Sequence, residues 1–578
     1  MRALLSSPRT AYPVIFLLGL LVRLITMVPI RQPGYMDAYY YYHVASNLYQ
    51  GKGFTEDFIW NYLAIPDSVT HPSNLYWMPL VSVLIYFSFL LFGEGFRAAQ
   101  VPLVLLSAVY PLVAFWLGKD VFRNLRYAWT MALLTIFSGV AFIYWVVPDN
   151  FAPFALAGCL SLICCYRGLR DSPWFFAGAG ALAGLGCLAR PDGVLLLVVA
   201  LVTAPACMLM GSTKRLARNE SLEMDTMASG ALVDAGAGVK PAATVPCHVD
   251  GDCPMENKVP RFAVRKQNTR RALIAICAAL VSFALVISPW LVRNQGAFGT
   301  PWPSAGAKTL FLTEYNDVFA YGKDLTLGQY LDWGWGNILR SKGEALWRNL
   351  LTFGELLLFY MLPFALVGFY LLRRRVEYWP FFVYGVLLYL SMSLLFTFPG
   401  PRGSFLHSAS ALLPFLFGAA VCGLDRCVAA TGRRLKHWNV LVAQCNFTVI
   451  MIIFAVLASA GLGIRAADGW DHRFQIYNEI AAWLATRLSD GELVMAVDPP
   501  GYYYSSGRRS IAVVNNDLET TVAVCRRYGV RYILLEVAHP IPWHRFYLGE
   551  EEAPDLALAG QVADVRIYEV KSEDESSP

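Results

Sequence analysis

Five ionisable residues lie where their chemistry could be used. They are Asp37, Asp149, His71, Arg293 and Arg402, each in a short polar stretch beside an apolar one. A carboxylate can take a proton from a hydroxyl group, and two carboxylates together can hold a divalent cation. An arginine can bind two oxygens of one phosphate through its planar guanidinium. These residue types are therefore suited to proton transfer or anion binding, provided that the fold brings them together.

Each of these residues also has an ordinary structural explanation. Asp37 and Asp149 could cap the helices that follow them, because helix amino termini carry unpaired amides and a positive dipole end. His71 could cap the next apolar helix, and Arg293 and Arg402 could extend to lipid headgroups, as arginines near span ends do. Position in the sequence alone leaves both explanations open.

The elements that must position these side chains are mostly apolar. The chain has 578 residues, of which 56% are hydrophobic and only 15% are Asp, Glu, Lys or Arg. A soluble globular protein has about 25% charged residues, so this chain has too few to cover a surface in water. The composition excludes a disordered chain and an ordinary soluble enzyme.

Twelve apolar stretches approach the length that crosses a bilayer as a helix. They are residues 11–30, 75–92, 98–117, 127–147, 151–165, 174–188, 193–210, 272–292, 350–372, 379–396, 409–424 and 440–464. We therefore predict a polytopic α-helical membrane protein with about 11–13 spans.

The basic residues of short loops indicate the cytoplasmic side of such a protein. They lie at the amino terminus, at both ends of the loop 211–271, and in the clusters 373–375 and 433–436. The loops 31–72 and 294–349 are then predicted to face outward. The loop 211–271 is rich in Ala, Gly, Ser and Thr, and we predict a mostly disordered cytoplasmic insert there.

The count of spans contains one conflict. Seven apolar stretches precede the basic loop, and an odd number cannot begin and end on the same side of the membrane. One of them must be interfacial, re-entrant or broken. Proline and glycine place the expected break near Pro148 or at Arg190–Gly193.

The tail changes character after residue 464, so we divide the chain into a membrane domain, 1–464, and a small soluble domain, 465–578. Strands alternating with helices predict an α/β fold with a parallel sheet there. The predicted strands are 492–497, 511–514, 530–535 and 562–570, and the predicted helices are 476–488 and 518–528. Residues 498–501 are predicted to form a turn after the first strand.

The first outward loop contains a segment with many tyrosines. If residues 37–49 are helical, Tyr41 lies on one stripe of the helix and His43 on another. Such a helix suits the membrane interface, where aromatic rings with polar tips accumulate. We predict that Tyr40, Tyr41 and His43 support this helix and that Asp37 lies at its start.

The ordered set of motifs resembles the GT-C superfamily of membrane glycosyltransferases. The resemblance begins with Asp37, the tyrosines and the ending Ala45-x-x-Leu-x-x-Gly-x-Gly-Phe54, and continues with His71-Pro72 and Pro148-Asp149-Asn150. Leu188–Gly193 and Pro289–Asn294, followed by Phe298–Pro301, complete it in order. Members include protein O-mannosyltransferases, lipid A aminoarabinose transferases and, more distantly, the oligosaccharyltransferase catalytic subunit.

The resemblance implies an inverting transfer of a hexosyl or pentosyl group from a polyprenyl-phosphate donor to a hydroxyl acceptor on a glycan, lipid or protein. Asp37 is then expected to take the acceptor's proton, and Asp149 to be the second acidic site. His71, Arg293 and Arg402 are expected to bind the donor phosphate. Asp37 and Asp149 could also hold one divalent cation, Mg or Mn, and no other cofactor is expected.

Two departures and two alternatives accompany this interpretation. Ala38 replaces the second acid that many protein mannosyltransferases carry, and the tail lacks the W-W-D-x-G signature of oligosaccharyltransferases. The alternatives are an oligosaccharyltransferase-like enzyme and a polyprenyl-lipid transporter, although a transporter is expected to show paired repeats. We expect an integral protein of a prokaryotic plasma membrane, with an extracytoplasmic active site, membrane lipid around it and no nucleic-acid partner.

Overall fold

The computed structural model describes residues 8–206, 261–303, 305–435 and 438–571. Residues 211–260 of the predicted cytoplasmic insert lie outside the described residues. Its last part, from Arg261, is not an irregular segment, because the helix Arg261–Phe298 begins there and runs without a break into the next apolar stretch.

Most of the described chain is helical. The helices of eight or more residues are Pro8–Met27, Met36–Tyr49, Leu80–Phe92, Phe96–Phe122, Leu125–Ile136, Phe151–Arg170, Phe175–Ala189, Val194–Thr203, Arg261–Phe298, Trp335–Leu356, Leu362–Leu372, Trp379–Leu390, Leu413–Gly432, Val440–Leu484, Pro499–Ser506 and Leu518–Tyr528. The shorter α-helices are Ala305–Lys308, Leu327–Asp332, Phe405–Ala409 and His544–Leu548.

The apolar helices confirm the predicted polytopic membrane class. Within the described residues, seven helices are long and apolar enough to cross a bilayer, and a bent pair, Leu125–Ile136 with Gly139–Val146, makes an eighth. Four shorter apolar helices of 10–17 residues accompany them. Several predicted spans are therefore present as short helices joined by breaks.

The sequence predicted one break, in one of two regions, and the structure has a break in both. The bent pair turns by 49° at residues 137–138, just before Gly139, whose φ is +61°, and it ends ahead of Pro148. The helix Phe175–Ala189 stops at Arg190, and Pro191–Gly193 forms a single 3₁₀ turn. Both breaks turn polar residues, Asp149–Asn150 and Arg190–Asp192, towards the interior of the helical bundle.

The tail supplies five strands of a six-stranded sheet, and the first loop supplies the sixth. The strands of this sheet are β2 (Phe58–Ile59), β4 (Leu493–Ala496), β5 (Ser510–Ala512), β6 (Val530–Leu535), β7 (Leu556–Val562) and β8 (Val565–Val570), in the spatial order β2-β5-β4-β6-β8-β7. The first four strands are parallel, as predicted, while β8 pairs antiparallel with both β6 and β7.

Two features of the tail differ from the prediction. The single strand predicted at 562–570 is a hairpin, because Ala563 adopts a φ of +49° and reverses the chain between β7 and β8. The predicted turn at Asp498 is the start of the helix Pro499–Ser506, with Asp498 accepting a hydrogen bond from the Gly501 amide.

The membrane and tail regions are joined at two places. The helix Val440–Leu484 runs through residue 464, the predicted boundary, without interruption. Strand β2 belongs to the first loop, yet it pairs with β5 of the tail, with Phe58 opposite Ser510. Strands β1 (Thr55–Glu56) and β3 (His71–Pro72) form a separate two-stranded pair in the same loop.

Candidate active site

The helix Met36–Tyr49, which we call the first-loop helix, carries Asp37 in its first turn. Gly34 directs the chain into this helix with a φ of +107°, and a Cβ there would lie 2.7 Å from the Trp470 ring. Only glycine fits both the backbone angle and the close approach. Asp37 is therefore fixed at the amino end of a helix, where the dipole favours a carboxylate.

Asp149 is fully buried near Asp37. Its carboxylate accepts hydrogen bonds from the Tyr35 hydroxyl and, at 2.6 Å, from the backbone amide of Asn150. Burial and the negative charge of Asp149 raise the pKa of Asp37 to about 8. Burial also raises the pKa of Asp149, to about 6, against its hydrogen bonds and the charge of Arg190. The pair therefore shares a proton over part of the neutral range.

Arg190 holds three segments of the site together. Its Nε donates to Asp192 at 3.0 Å and to Ser408 Oγ at 3.1 Å, and an Nη donates to the Asn150 amide oxygen at 3.4 Å. Asn150 in turn donates to the Tyr41 hydroxyl at 3.2 Å. The network ties both helix breaks to the first-loop helix.

His407 completes this network. Its Nδ1 lies 2.7 Å from the Asn150 amide oxygen and 3.6 Å from the Asp149 carboxylate. Its ring stacks on Phe151 with 3.9 Å between ring centroids.

A cavity of about 370 Å³ opens onto these residues. This volume is in the range that binds small molecules. One part of its wall is polar and includes Asp37, Asn150, Arg190, Asp192, Arg402 and His407. Another part is apolar and includes Val194, Leu195, Trp290, Leu310, Met392 and Phe396. A ligand with a charged head and an apolar chain matches this division.

Arg402 is the cation on this wall that is available to a ligand. Its guanidinium carbon lies 4.7 Å from the centre of the Tyr315 ring. Within the described residues it forms no hydrogen bond or ion pair with the protein, in contrast to Arg190. An anion in the cavity could therefore bind Arg402 without breaking an existing contact.

Two other predicted phosphate ligands lie away from the cavity wall. His71 Nε2 lies 3.3 Å from Glu56 and 3.3 Å from the Phe58 carbonyl, within the first loop. The Arg293 guanidinium is surrounded by the rings of Phe54, Trp290 and Phe298 and donates to the Phe54 carbonyl at 3.1 Å. The structure thus brings together Asp37, Asp149 and Arg402 but not His71 and Arg293.

The predicted supporting residues hold the first-loop helix in place. The Tyr40 hydroxyl accepts a hydrogen bond from the Asn74 amide at 2.7 Å. His43 Nε2 accepts from the Asp57 amide at 3.2 Å, and burial lowers the pKa of this imidazole. These side chains are all buried, and together with the Tyr41 contact they leave Asp37 little freedom to move.

The divalent cation predicted at Asp37 and Asp149 stays a prediction. Asp37 and Asp149 would supply two carboxylates, but across the described ranges no group of three or more His, Cys, Asp or Glu is placed to hold a metal ion. The Asp149 carboxylate already accepts two hydrogen bonds.

Sequence reasoning did not assign Arg190, Asp192 or His407 to the site. The first two stood in a motif that was interpreted as a helix break, although charges in an otherwise apolar stretch are themselves a functional signal. His407 is a single histidine in a serine-rich apolar segment, and its proximity to Asn150 depends on packing between distant helices.

Residues 70–232 match the family model of the dolichyl-phosphate-mannose-protein mannosyltransferases. No curated protein matches the sequence significantly.

The solved structures that are similar to this one include ArnT and an archaeal oligosaccharyltransferase. ArnT from Cupriavidus metallidurans, solved with undecaprenyl phosphate, is 12% identical, with a TM-score of 0.52 over 98% of this chain and 99% of that one. The oligosaccharyltransferase of Archaeoglobus fulgidus is also 12% identical, with a TM-score of 0.49 over 93% of this chain and 70% of that one.

This chain and ArnT agree in fold over nearly their full lengths. The chain has the fold of the GT-C membrane glycosyltransferases.

Proposed function

We propose that this protein is an inverting glycosyltransferase that moves a sugar from a polyprenyl-phosphate donor to a hydroxyl acceptor. The observation that carries the proposal is the cavity that joins Asp37 and the unpaired Arg402 to an apolar wall. The family match at residues 70–232 and the undecaprenyl phosphate bound by ArnT support the donor class.

Asp37 acts as the general base in this proposal. A hydroxyl is a poor nucleophile, so a carboxylate within reach must take its proton as the new bond to the anomeric carbon forms. The raised pKa of Asp37 makes it a stronger base than an ordinary carboxylate. Asp149 keeps that pKa high through its negative charge, and the Arg190 network keeps both acids in position.

Arg402 binds the phosphate of the donor. The bond between the anomeric carbon and the phosphate oxygen breaks, and the leaving polyprenyl phosphate gains negative charge in the transition state. A guanidinium that already lies in the cavity can bind two of its oxygens without reorganisation. The apolar wall accepts the first isoprene units of the carrier.

The acceptor is a glycan, a lipid or a protein, and the proposed site faces the outside of a prokaryotic plasma membrane. The basic residues that flank the loop 211–271 support this orientation. A cysteine introduced at the exposed Lys52 should react with a membrane-impermeant thiol reagent added to intact cells. Reaction only after the cells are opened would reverse the orientation.

The test of the activity is transfer of labelled mannose from mannosyl-phosphoryl-polyprenol by the purified protein in lipid nanodiscs. Membrane glycans, lipids and proteins extracted from the source cells serve as acceptors. We expect transfer by the wild type and a loss of about 100-fold or more in Asp37→Asn, which keeps the shape but not the base. Full activity of Asp37→Asn would refute the role of Asp37, and an inactive wild type would argue against this donor.

A further inference from the structure

Two tyrosines on the cavity wall, Tyr76 and Tyr315, have hydroxyl groups that the fold does not use. Both residues line the cavity that contains Asp37. Neither hydroxyl has a hydrogen-bond partner anywhere in the part of the chain that the structure describes. Both side chains are partly exposed, so their hydroxyls are hydrogen-bond donors that a ligand in the cavity can reach.

Three other tyrosines near the site have hydroxyls that are hydrogen-bonded within the protein. The Tyr41 hydroxyl bonds to Asn150, and the Tyr40 hydroxyl bonds to the backbone of Asn74. The hydroxyl of Tyr384 donates to the Ser408 carbonyl at 3.2 Å. These three hydroxyls have partners within the protein, whereas in the part of the chain that the structure describes the hydroxyls of Tyr76 and Tyr315 on the cavity wall have none.

The rings of the two tyrosines are held firmly. Tyr76 packs edge-on against Trp60, with 5.2 Å between ring centroids. Tyr315 lies under the Arg402 guanidinium at 4.7 Å. The hydroxyls thus project from fixed rings, which lowers the entropy cost of binding a ligand through them.

Asp37 and the arginines of the site act on these two hydroxyls. Burial and the charge of Asp37 raise the pKa of Tyr315 to about 12, and Arg402 opposes the shift. Burial also raises the pKa of Tyr76, where Tyr315 and Asp37 act in the same direction and Arg190 opposes them. Both phenols therefore keep their protons at neutral pH and can donate hydrogen bonds.

We infer that Tyr76 and Tyr315 bind the hydroxyl groups of the donor sugar and contribute to the choice of that sugar. The inference rests on the proposed function, because it places the phosphate at Arg402 and the reacting acceptor at Asp37. The transferred sugar then lies between these two groups. Its hydroxyls are the ligand groups that would satisfy two fixed phenol donors.

The test compares Tyr76→Phe and Tyr315→Phe with the wild type on donors that each lack one sugar hydroxyl. Each variant removes one oxygen atom and keeps the ring, so the packing against Trp60 and Arg402 is retained. Tyr330→Phe is the matched control, because Tyr330 is a buried tyrosine that does not line the cavity. It should transfer sugar at the wild-type rate.

With the complete mannosyl donor we expect each variant to lose about tenfold in kcat/KM, the loss typical of one hydrogen bond to a substrate. The wild type should lose a similar factor on the deoxy donor that lacks the contacted hydroxyl. On that donor the matching variant should lose nothing further, because the same contact cannot be lost twice. Losses that multiply on every deoxy donor would overturn the inference.

A second measurement separates a sugar contact from a phosphate contact. Polyprenyl phosphate without sugar should inhibit the wild type and both tyrosine variants equally, whereas Arg402→Gln should weaken that inhibition. If Tyr315→Phe weakens it as much as Arg402→Gln does, Tyr315 binds phosphate and the inference is wrong for it. A wild type without transfer activity would refute the proposed function instead, so the two failures are distinguishable.

Discussion

The shared proton of Asp37 and Asp149 gives a prediction about pH. The pKa of Asp37 is raised to about 8, first by burial and then by the charge of Asp149. Because the base must be ionised, kcat/KM should fall about tenfold for each pH unit below about 8. Asp149→Asn removes the charge while its amide oxygen can still accept the hydrogen bond from Tyr35.

The size of the effect follows from the interaction of two carboxylates. Two carboxylates about 5–6 Å apart repel each other by about 3 kcal/mol at an effective dielectric constant of about 20. One pKa unit corresponds to about 1.36 kcal/mol, so about two units is the upper limit. We expect the acid limb of the profile to move down by about one to two pH units in Asp149→Asn.

The assay is the pH dependence of sugar transfer between pH 5 and 9, with the labelled donor below its KM. The control is Asp332→Asn, an exposed carboxylate outside the cavity wall. Its acid limb should coincide with that of the wild type. An acid limb that stays in place or moves up in Asp149→Asn would refute the electrostatic coupling, even if the variant were less active.

Three further predictions concern the surroundings of the site. Arg402→Gln should weaken inhibition by polyprenyl phosphate about tenfold or more. Arg293→Gln should leave the inhibition unchanged, because aromatic rings enclose Arg293. Equal effects of the two variants would place the phosphate elsewhere. Gly34→Ala should lower the free energy of unfolding by about 1–3 kcal/mol, and the thermal unfolding midpoint should fall. The control is Gly53→Ala, because Gly53 also has a positive φ but no atom lies within 4 Å of its Cβ position. Equal midpoints for the two variants would contradict the clash with Trp470. Tyr503→Ala removes a ring of the tail whose centroid lies 4.5 Å from that of His43 in the first loop. Trypsin should therefore cut the first loop faster at Lys52. An unchanged rate of cutting would show that the tail does not hold the loop.

The membrane class and much of the tail could be predicted from local sequence. The helix Leu518–Tyr528 and the strand Val530–Leu535 lie at the predicted residues, because their apolar periodicity and the glycine between them are local signals. Proline and glycine likewise indicated both helix breaks. The hairpin at Ala563 could not be predicted, because the turn lacks the usual glycine or asparagine.

The assembly of the site was less accessible from sequence. Asp37 was proposed because of its motif and Arg402 because it is a cation beside an apolar stretch. Their presence on one cavity wall depends on how helices pack across more than 300 residues. Arg293 shows the opposite outcome: its motif resembled a phosphate ligand, but three neighbouring rings enclose the guanidinium. Local patterns identify the residue types that could do chemistry, whereas tertiary packing decides which of them face the ligand.

The pairing of β2 with β5 has a consequence for biosynthesis. The Tyr62 hydroxyl in the first loop bonds to the Ala512 carbonyl at 2.6 Å, across a separation of 450 residues. The first loop is synthesised about 450 residues before strand β5, its neighbour in the sheet. The loop with Asp37 must therefore wait, incompletely packed, until β5 has been made, and a translation product that stops before β5 would lack the finished site.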